Sequence, residues 1–505
     1  MTTTTRFTQR ARLAAAAAVA TALVTTVIAH TAGSVKPFSP REYALLHGTH
    51  PRTAGMAEPN STTPLARCGA GSLPEGPVQG RVPAADYANG RAAKGYLCNT
   101  MQVGHYGASG GFHVFRYVDQ ARHVCAIYDS TYVFPENAFR DINTGTFVLD
   151  MTHPGQPIRT AVLRTLAMQS PHESLRLNEK RGLLIATTGG PTTMAGTMDI
   201  YDLRSDCRNP RLRSTLPINL LGHEGGFSAD GLTYWATVTA AGGLTAIDVS
   251  NPDLPTVLWS STKWAVHGLG LSPDGNRAYL ADMGTSPISP ALDLLQGGGG
   301  MTILDVSEVQ ARVFQPKVRQ LSTLSWPEMS IPQNNIPVTI KGREYTIEFD
   351  EYDSSVLHYV ASSTVGGIHI LDTANSTKPR IVSRIRLQVW DRANRVGDQS
   401  KDPGATRVGQ GYAAHYCSVP TLVNPTMLAC SMIMSGLRIY DIRDPMHPRE
   451  IAYFNKPPIK PADPSVMGSY AMSAPAFDIA HKQIWYSDAN SGFYAVRLTN
   501  GAWLG

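Results

Sequence analysis

One pattern recurs along this chain and constrains its fold more than any other feature: a glycine, a short apolar strand and a closing aspartate. The copies read GTFVLDMTHPGQP, GTMDIYDLRSDCRNP, GGLTAIDVSNPDLP, GGMTILDVSEVQA, GGIHILDTANSTKP and SGLRIYDIRDPMHP, closing at Asp150, Asp202, Asp248, Asp305, Asp372 and Asp441. A degenerate seventh, SGFYAVRLTN, stands at the C-terminus. Self-similarity at spacings of about fifty to seventy residues marks units that bury their faces only by stacking on their neighbours. An apolar segment precedes the motif, as in GLLIATT, TYWATV, RAYLAD, LHYVAS, MLACSM and IWYSD, and another follows it, as in REIAYF. Such units predict an all-β chain, a seven-bladed β-propeller of four-stranded antiparallel blades over residues 95–505.

The segment GYLCNTMQVGHYG, near residue 100, has the pattern of a blade's last strand yet precedes the first full unit, and the C-terminal unit lacks that strand. The N-terminal strand is therefore expected to complete the last blade and close the ring, which hides strand edges that would otherwise pair with other chains. Segments 283–298, 331–346 and 388–412 read as insertions on the blade faces, the middle one, PVTIKGREYTIEF, as a hairpin turning at Lys341 and Gly342. The closing aspartates are expected to bind the backbone of their own turns. Asp282 and Asp488 follow second strands and could face the channel.

The repeated apolar strand ending in Asp resembles the LVIVD-repeat family of bacterial exported β-propellers, from about residue 95 to the end. The resemblance implies the propeller fold. It implies no single activity, because a fold does not by itself determine chemistry.

Arg6, Arg10 and Arg12 precede an apolar stretch from Leu13 to Ala29, with Val27 and Ala29 as small residues before a cleavage point. Residues 1–29 therefore read as a cleaved signal peptide, and the protein is expected to be secreted or held in the cell envelope. No later segment is long and apolar enough to span a membrane. Residues 30–94, rich in Pro, Gly and Ala, read as an irregular leader. The six cysteines form an even set suited to disulfides in an oxidising compartment. Cys417 and Cys430, on neighbouring antiparallel strands, are the pair the pattern favours, and the remaining pairing stays open. A net charge of +5 with scattered arginines leaves no footprint for nucleic acid. GxSxG, P-loop, Rossmann, HExxH and CxxCH motifs are all absent from the sequence.

When the units are aligned on their second strands, a histidine recurs near the start of the first strand: His113, His172, His223, His267 and His415. Five of the chain's 15 histidines thus share one repeat position. First strands line the channel of a propeller, so these side chains are expected to converge as a ring on one face. Three or four adjacent imidazoles, such as His172, His223 and His267, could close on one Cu, Fe or Zn ion. In the same alignment the fifth blade offers Glu328 as ligand or proton acceptor, and the seventh offers Tyr470 as an acid. Glu173 and Glu224, each beside a ring histidine, would alternate to the opposite side of a regular strand.

These observations lead to a transition-metal site at the channel mouth, with oxidative or Lewis-acid chemistry on a small organic substrate in the axial cavity. Two other readings follow from the same residues. A metal-free binding module would recognise a protein, glycan or envelope ligand on a blade face, its histidines packing against neighbouring backbone. A metal-free enzyme would use the histidines as acids and bases.

Overall fold

The computed structural model describes residues 61–130, 144–188, 196–217, 222–238, 242–284, 299–326, 331–351, 365–395, 398–405, 410–458 and 467–505. Seven antiparallel sheets form the ring. Blade 1 runs through Val114–Val118, Val124–Asp129, Thr146–Asp150 and Ile158–Leu163, and blades 2 to 6 follow in sequence order. Blade 7 joins Ala476–Asp478, Gln483–Asp488 and Gly492–Leu498 to Thr100–Tyr106, which pairs with Gly492–Leu498 in the register Thr100↔Leu498. Tyr96–Cys98 adds a fifth strand to blade 6 beside Arg449–Asn455.

Burial explains why the repeat motif reads as it does. Second and third strands such as Thr233–Val238 and Gly300–Asp305 are buried along nearly their whole length, because each blade face lies against the next blade. Outer strands such as Thr256–Ser261 meet solvent and are exposed or half-buried throughout. Apolar clusters fill each wedge between blades; Trp485 and Phe493 of blade 7 pack with Tyr128 and Phe147 of blade 1. In each of the seven blades the pair formed by the third and fourth strands carries a register shift, for example between Ala246 and Ile247 and between Gln102 and Gly104. Bulges at this position increase local twist and blunt the exposed edges.

All six closing aspartates accept the backbone N–H two residues on, from Thr152, Arg204, Ser250, Ser307, Ala374 and Arg443, at 2.7–3.3 Å. The motif's aspartate is thus a turn-former. Asp488 holds the N–H groups of Tyr470 and Asn490, and Asp282 that of Gly284 and the Thr302 hydroxyl.

One element departs from the sequence reading. The hairpin at 331–346 does turn at Lys341 and Gly342, but it is no face loop: Ile331–Ile340 and Arg343–Glu351 are the first two strands of blade 5. Arg343–Glu351 pairs directly with the motif strand Ile368–Asp372, taking the place expected for LHYVAS. The LHYVAS segment itself lies outside the described residues, as do 1–60 and most of 283–298. The hairpin wins because Thr346, Ile347, Glu348 and Phe349 are all buried, which requires neighbours on both faces.

Disulfides join Cys68 to Cys98, Cys125 to Cys207 and Cys417 to Cys430, the last as expected. The second ties blade 1 to blade 2, and the first ties the leader to the added strand of blade 6. The described part of the leader lies along blade 6 and the loop that precedes it. Gln79 Nε2 donates to Glu450, Val82 N–H to the Tyr412 hydroxyl, and Arg81 pairs with Asp402 at 2.8 Å.

Candidate metal centre

The first strands of successive blades approach one another at the axis, as the parallel bridge between Glu173 of blade 2 and Glu224 of blade 3 shows. Repeat-equivalent residues therefore become neighbours. Ring centroids of His172 and His223 lie 4.4 Å apart, and those of His223 and His267 4.5 Å apart. His415 arrives from blade 6, two residues before Cys417–Ser418. Phe112 of blade 1 lies against both His172 and His415, at 4.5 and 5.6 Å between ring centroids.

The ring nitrogens are oriented from behind. His267 Nδ1 donates to the Gln333 carbonyl at 3.2 Å, and His415 Nδ1 to the Met472 carbonyl at 2.8 Å. In a neutral ring so bonded it is Nε2 that carries the lone pair, the arrangement in which an outer hydrogen bond sets the tautomer of a metal-ligating histidine. His267 Nε2 faces His223 Nε2 at 2.8 Å and Glu351 Oε1 at 3.3 Å. His415 Nε2 lies 3.0 Å from Glu351 Oε2. His223 Nε2 lies 3.0 Å from Glu173 Oε2, whose carboxylate is locked at its other oxygen by the Gln333 amide at 2.8 Å. His172 Nδ1 is 3.7 Å from the same Oε2 and, buried, makes no hydrogen bond.

Burial depresses the imidazole of His172 to about 3, with repulsion from His223 adding to it, and lowers that of His267 for the same first reason. Both rings are neutral at ordinary pH and need shed no proton to bind a cation. Among the described residues, three sets of donors lie within 4.8 Å of one another at the axis: His172, Glu173 and His223; Glu173, Glu224 and His267; and Glu173, Glu351 and His415. Nitrogen and carboxylate donors without sulfur suit Zn, Cu(II), Fe or Mn.

The structure therefore brings His172, His223, His267 and His415 together. His113 joins none of these sets: its Nε2 lies 3.0 Å from the Glu173 carbonyl and accepts from Arg176, and burial together with Arg176 lowers its imidazole well below the usual range. Tyr470 packs in the apolar cluster with Tyr412, Met434 and Met472. Glu328 lies outside the described residues.

Glu173 does not alternate away from the channel, as a regular strand would require. His172 adopts a left-handed backbone, φ 49°, before the strand begins at Arg176, and this turns Glu173 inward. Glu224 is held by Arg176 and the Asn334 amide, and closes on them over Gly268, where an added Cβ would stand 1.6 Å from Glu224 Oε2. Sequence reasoning missed Glu351, Gln333 and Phe112. An acidic pair ending an otherwise apolar strand, YTIEFDE, was the signal for Glu351.

Fold and site together define a seven-bladed β-propeller with histidine and carboxylate groups able to bind a metal at its axis. The sequence matches no family model and no curated protein. Solved structures resemble it distantly. The periplasmic gluconolactonase PpgL of Pseudomonas aeruginosa is 12% identical over 78% of this chain and 89% of that one, with a TM-score of 0.45. A functionally unknown protein of Desulfotomaculum acetoxidans is 12% identical over 72% and 89%, with a TM-score of 0.44. The Cps50 (Swd1) propeller domain of Myceliophteria thermophila is 10% identical over 79% and 99%, with a TM-score of 0.47. Likeness this remote carries no argument about chemistry, which rests on the site alone.

Proposed function

We propose that this chain is an exported propeller of the LVIVD-repeat kind, which holds a transition metal at the mouth of its channel and acts there on a small organic substrate by oxidative or Lewis-acid chemistry. One observation carries the reading. His267 and His415, from different blades, each commit Nδ1 to a backbone carbonyl and direct Nε2 toward Glu351, beside Glu173. Buried acceptors gathered in this way are stable only with a proton or cation among them. Packing histidines would spend Nε2 on protein groups, as His113 does with Arg176. Export is supported by the N-terminal pattern and by the three disulfides, which leave no free cysteine among the described residues.

In this reading His172, His223, His267 and His415, with Glu173 and Glu351, are the ligands. Glu173 and Glu351 supply the negative charge that matches a divalent ion, while Arg176 neutralises Glu224 so that it adds none. The metal would polarise a substrate oxygen or exchange electrons with the substrate. His223, whose side chain keeps 20% of its exposure while His415 keeps none, marks the side from which substrate enters. Phe112 packs against the His172 and His415 rings.

The test is metal content by inductively coupled plasma mass spectrometry on mature protein purified without a histidine tag. Stoichiometric Cu, Fe or Zn, lost in His223→Ala, is the expected result. Metal-free protein that also refuses added metal overturns the reading and leaves a propeller that recognises a protein or glycan on a blade face.

A further inference from the structure

The donors at the axis outnumber what one ion needs, and they do not form a single set. At bond lengths of about 2.0–2.2 Å, no two ligands of a single ion stand more than about 4.4 Å apart. Here the described donors fall into three overlapping triads rather than one set, and Glu173 is the member common to all three. Its two oxygens face different partners. Oε2 lies 3.0 Å from His223 Nε2, 3.5 Å from His267 Nε2 and 3.7 Å from His172 Nδ1. Oε1 lies 3.7 Å from His415 Nε2, which in turn meets Glu351 Oε2 at 3.0 Å.

From this division we infer that the centre is dinuclear, with Glu173 bridging an outer metal ion on His172 and His223 and an inner one on His415 and Glu351, and with His267 between them, its Nε2 2.8 Å from His223 Nε2 and 3.3 Å from Glu351 Oε1. The inference rests on the metal reading above and adds to it the number of ions and their separate ligands. A second observation supports the outer position: His172 Nδ1 is buried, without a hydrogen bond, and within reach of Glu173 Oε2. The Gln333 amide, donating to Glu173 Oε1 at 2.8 Å, holds the carboxylate in the plane that lets its oxygens serve different partners. Two-metal sites hold their ions about 3.5–4 Å apart and clamp both the attacking and leaving atoms of a substrate. Exposure separates the two positions. His223 side chain is 20% exposed and that of His415 is closed to solvent, so the outer ion is the one that meets substrate and exchanges first.

The experiment strips the mature full-length protein with dipicolinate, reloads it with Zn(II) or Mn(II), removes unbound metal by gel filtration and counts ions per chain by mass spectrometry. Two equivalents are expected in the wild type, with the Mn(II) form giving the electron paramagnetic resonance signal of a spin-coupled pair. His172→Ala and His415→Ala should each fall to one equivalent and show an uncoupled ion. One equivalent in the wild type, with a single-ion spectrum, overturns the dinuclear inference and leaves the metal reading standing. No metal in any form overturns both. Circular dichroism checks each variant's fold, and if a variant fails to fold, the stoichiometry and spin coupling of the wild type decide alone.

Discussion

His223 Nε2 lies 2.8 Å from His267 Nε2, and His267 has already committed its Nδ1 proton to the Gln333 carbonyl. A neutral His267 therefore turns a lone pair toward its neighbour, and close packing of the two rings is favourable only with a proton or a metal between them. Repetition of the blade brings the rings together, since each stands at the start of its own blade's first strand.

Metal bound only by the folded state adds RT ln(1 + [L]/Kd) to stability, roughly 2.7 kcal/mol per site at a hundredfold excess over Kd. Stripping the protein with dipicolinate should lower its thermal midpoint in scanning calorimetry, and Zn(II) should restore it. An unchanged midpoint would mean that protons alone balance the site.

His113 and His267 look alike in the sequence and should behave differently. His113→Gln should keep full metal content, because His113 Nε2 accepts from Arg176 and lies outside the donor sets. His267→Ala removes a ligand and should lower affinity by at least tenfold, read by competition with a chromogenic chelator.

Gly268→Ala places a Cβ 1.6 Å from Glu224 Oε2 and 2.4 Å from the Gln333 carbonyl. The backbone that orients His267 must shift. We expect a loss of about 1–3 kcal/mol in urea unfolding from overpacking and about 10–100-fold weaker metal binding from the disturbed outer hydrogen bond. Gly76→Ala, which meets nothing within 4 Å, serves as the control and should change neither.

Burial pushes the Asp129 carboxyl up to about 7, against the N–H groups of His113 and Phe112 that favour its charge, and pushes Asp488 up to about 6. In the unfolded chain both release their protons near pH 4, approximately. Between about pH 4 and these values the folded state holds protons that the unfolded state has lost, so this contribution to stability falls as pH rises and levels off above about pH 7. Asp129→Asn keeps an Oδ1 acceptor for both N–H groups and should flatten the slope by on the order of a few kcal/mol across the window. Urea midpoints at matched metal loading, measured from acid to neutral pH, check this.

The leader is held to blade 6 by Arg438, which is fully buried between Glu75 and Glu450 and lies over the Tyr453 ring at 4.6 Å. Removing one member of such a set strands buried charge, so Arg438→Ala should cost about 3–5 kcal/mol in urea unfolding. Metal content should stay unchanged. Parallel loss of metal would show that blade 6 and the axis respond as one unit.

The architecture and the turn role of the closing aspartates were legible in the sequence, the Cys417–Cys430 bridge was the pairing its pattern favours, and of the five histidines it places in step four come together while His113 does not. Each follows from a local pattern repeated at a regular period: an apolar run buried on both faces, an aspartate two residues before a free N–H, a histidine at one step of the first strand. Tertiary structure alone decided which groups face those histidines. Glu173 turns inward because one residue, His172, departs from strand geometry, and Glu351 reaches the axis because a hairpin that reads as an insertion supplies the inner strands of blade 5. Gln333 and Met472 orient the rings through backbone carbonyls, which every residue carries and which no residue type can announce in a sequence. Periodicity is a property of the chain, whereas the direction of a buried carboxylate is set by backbone angles and neighbours that exist only after the blades have closed on one another.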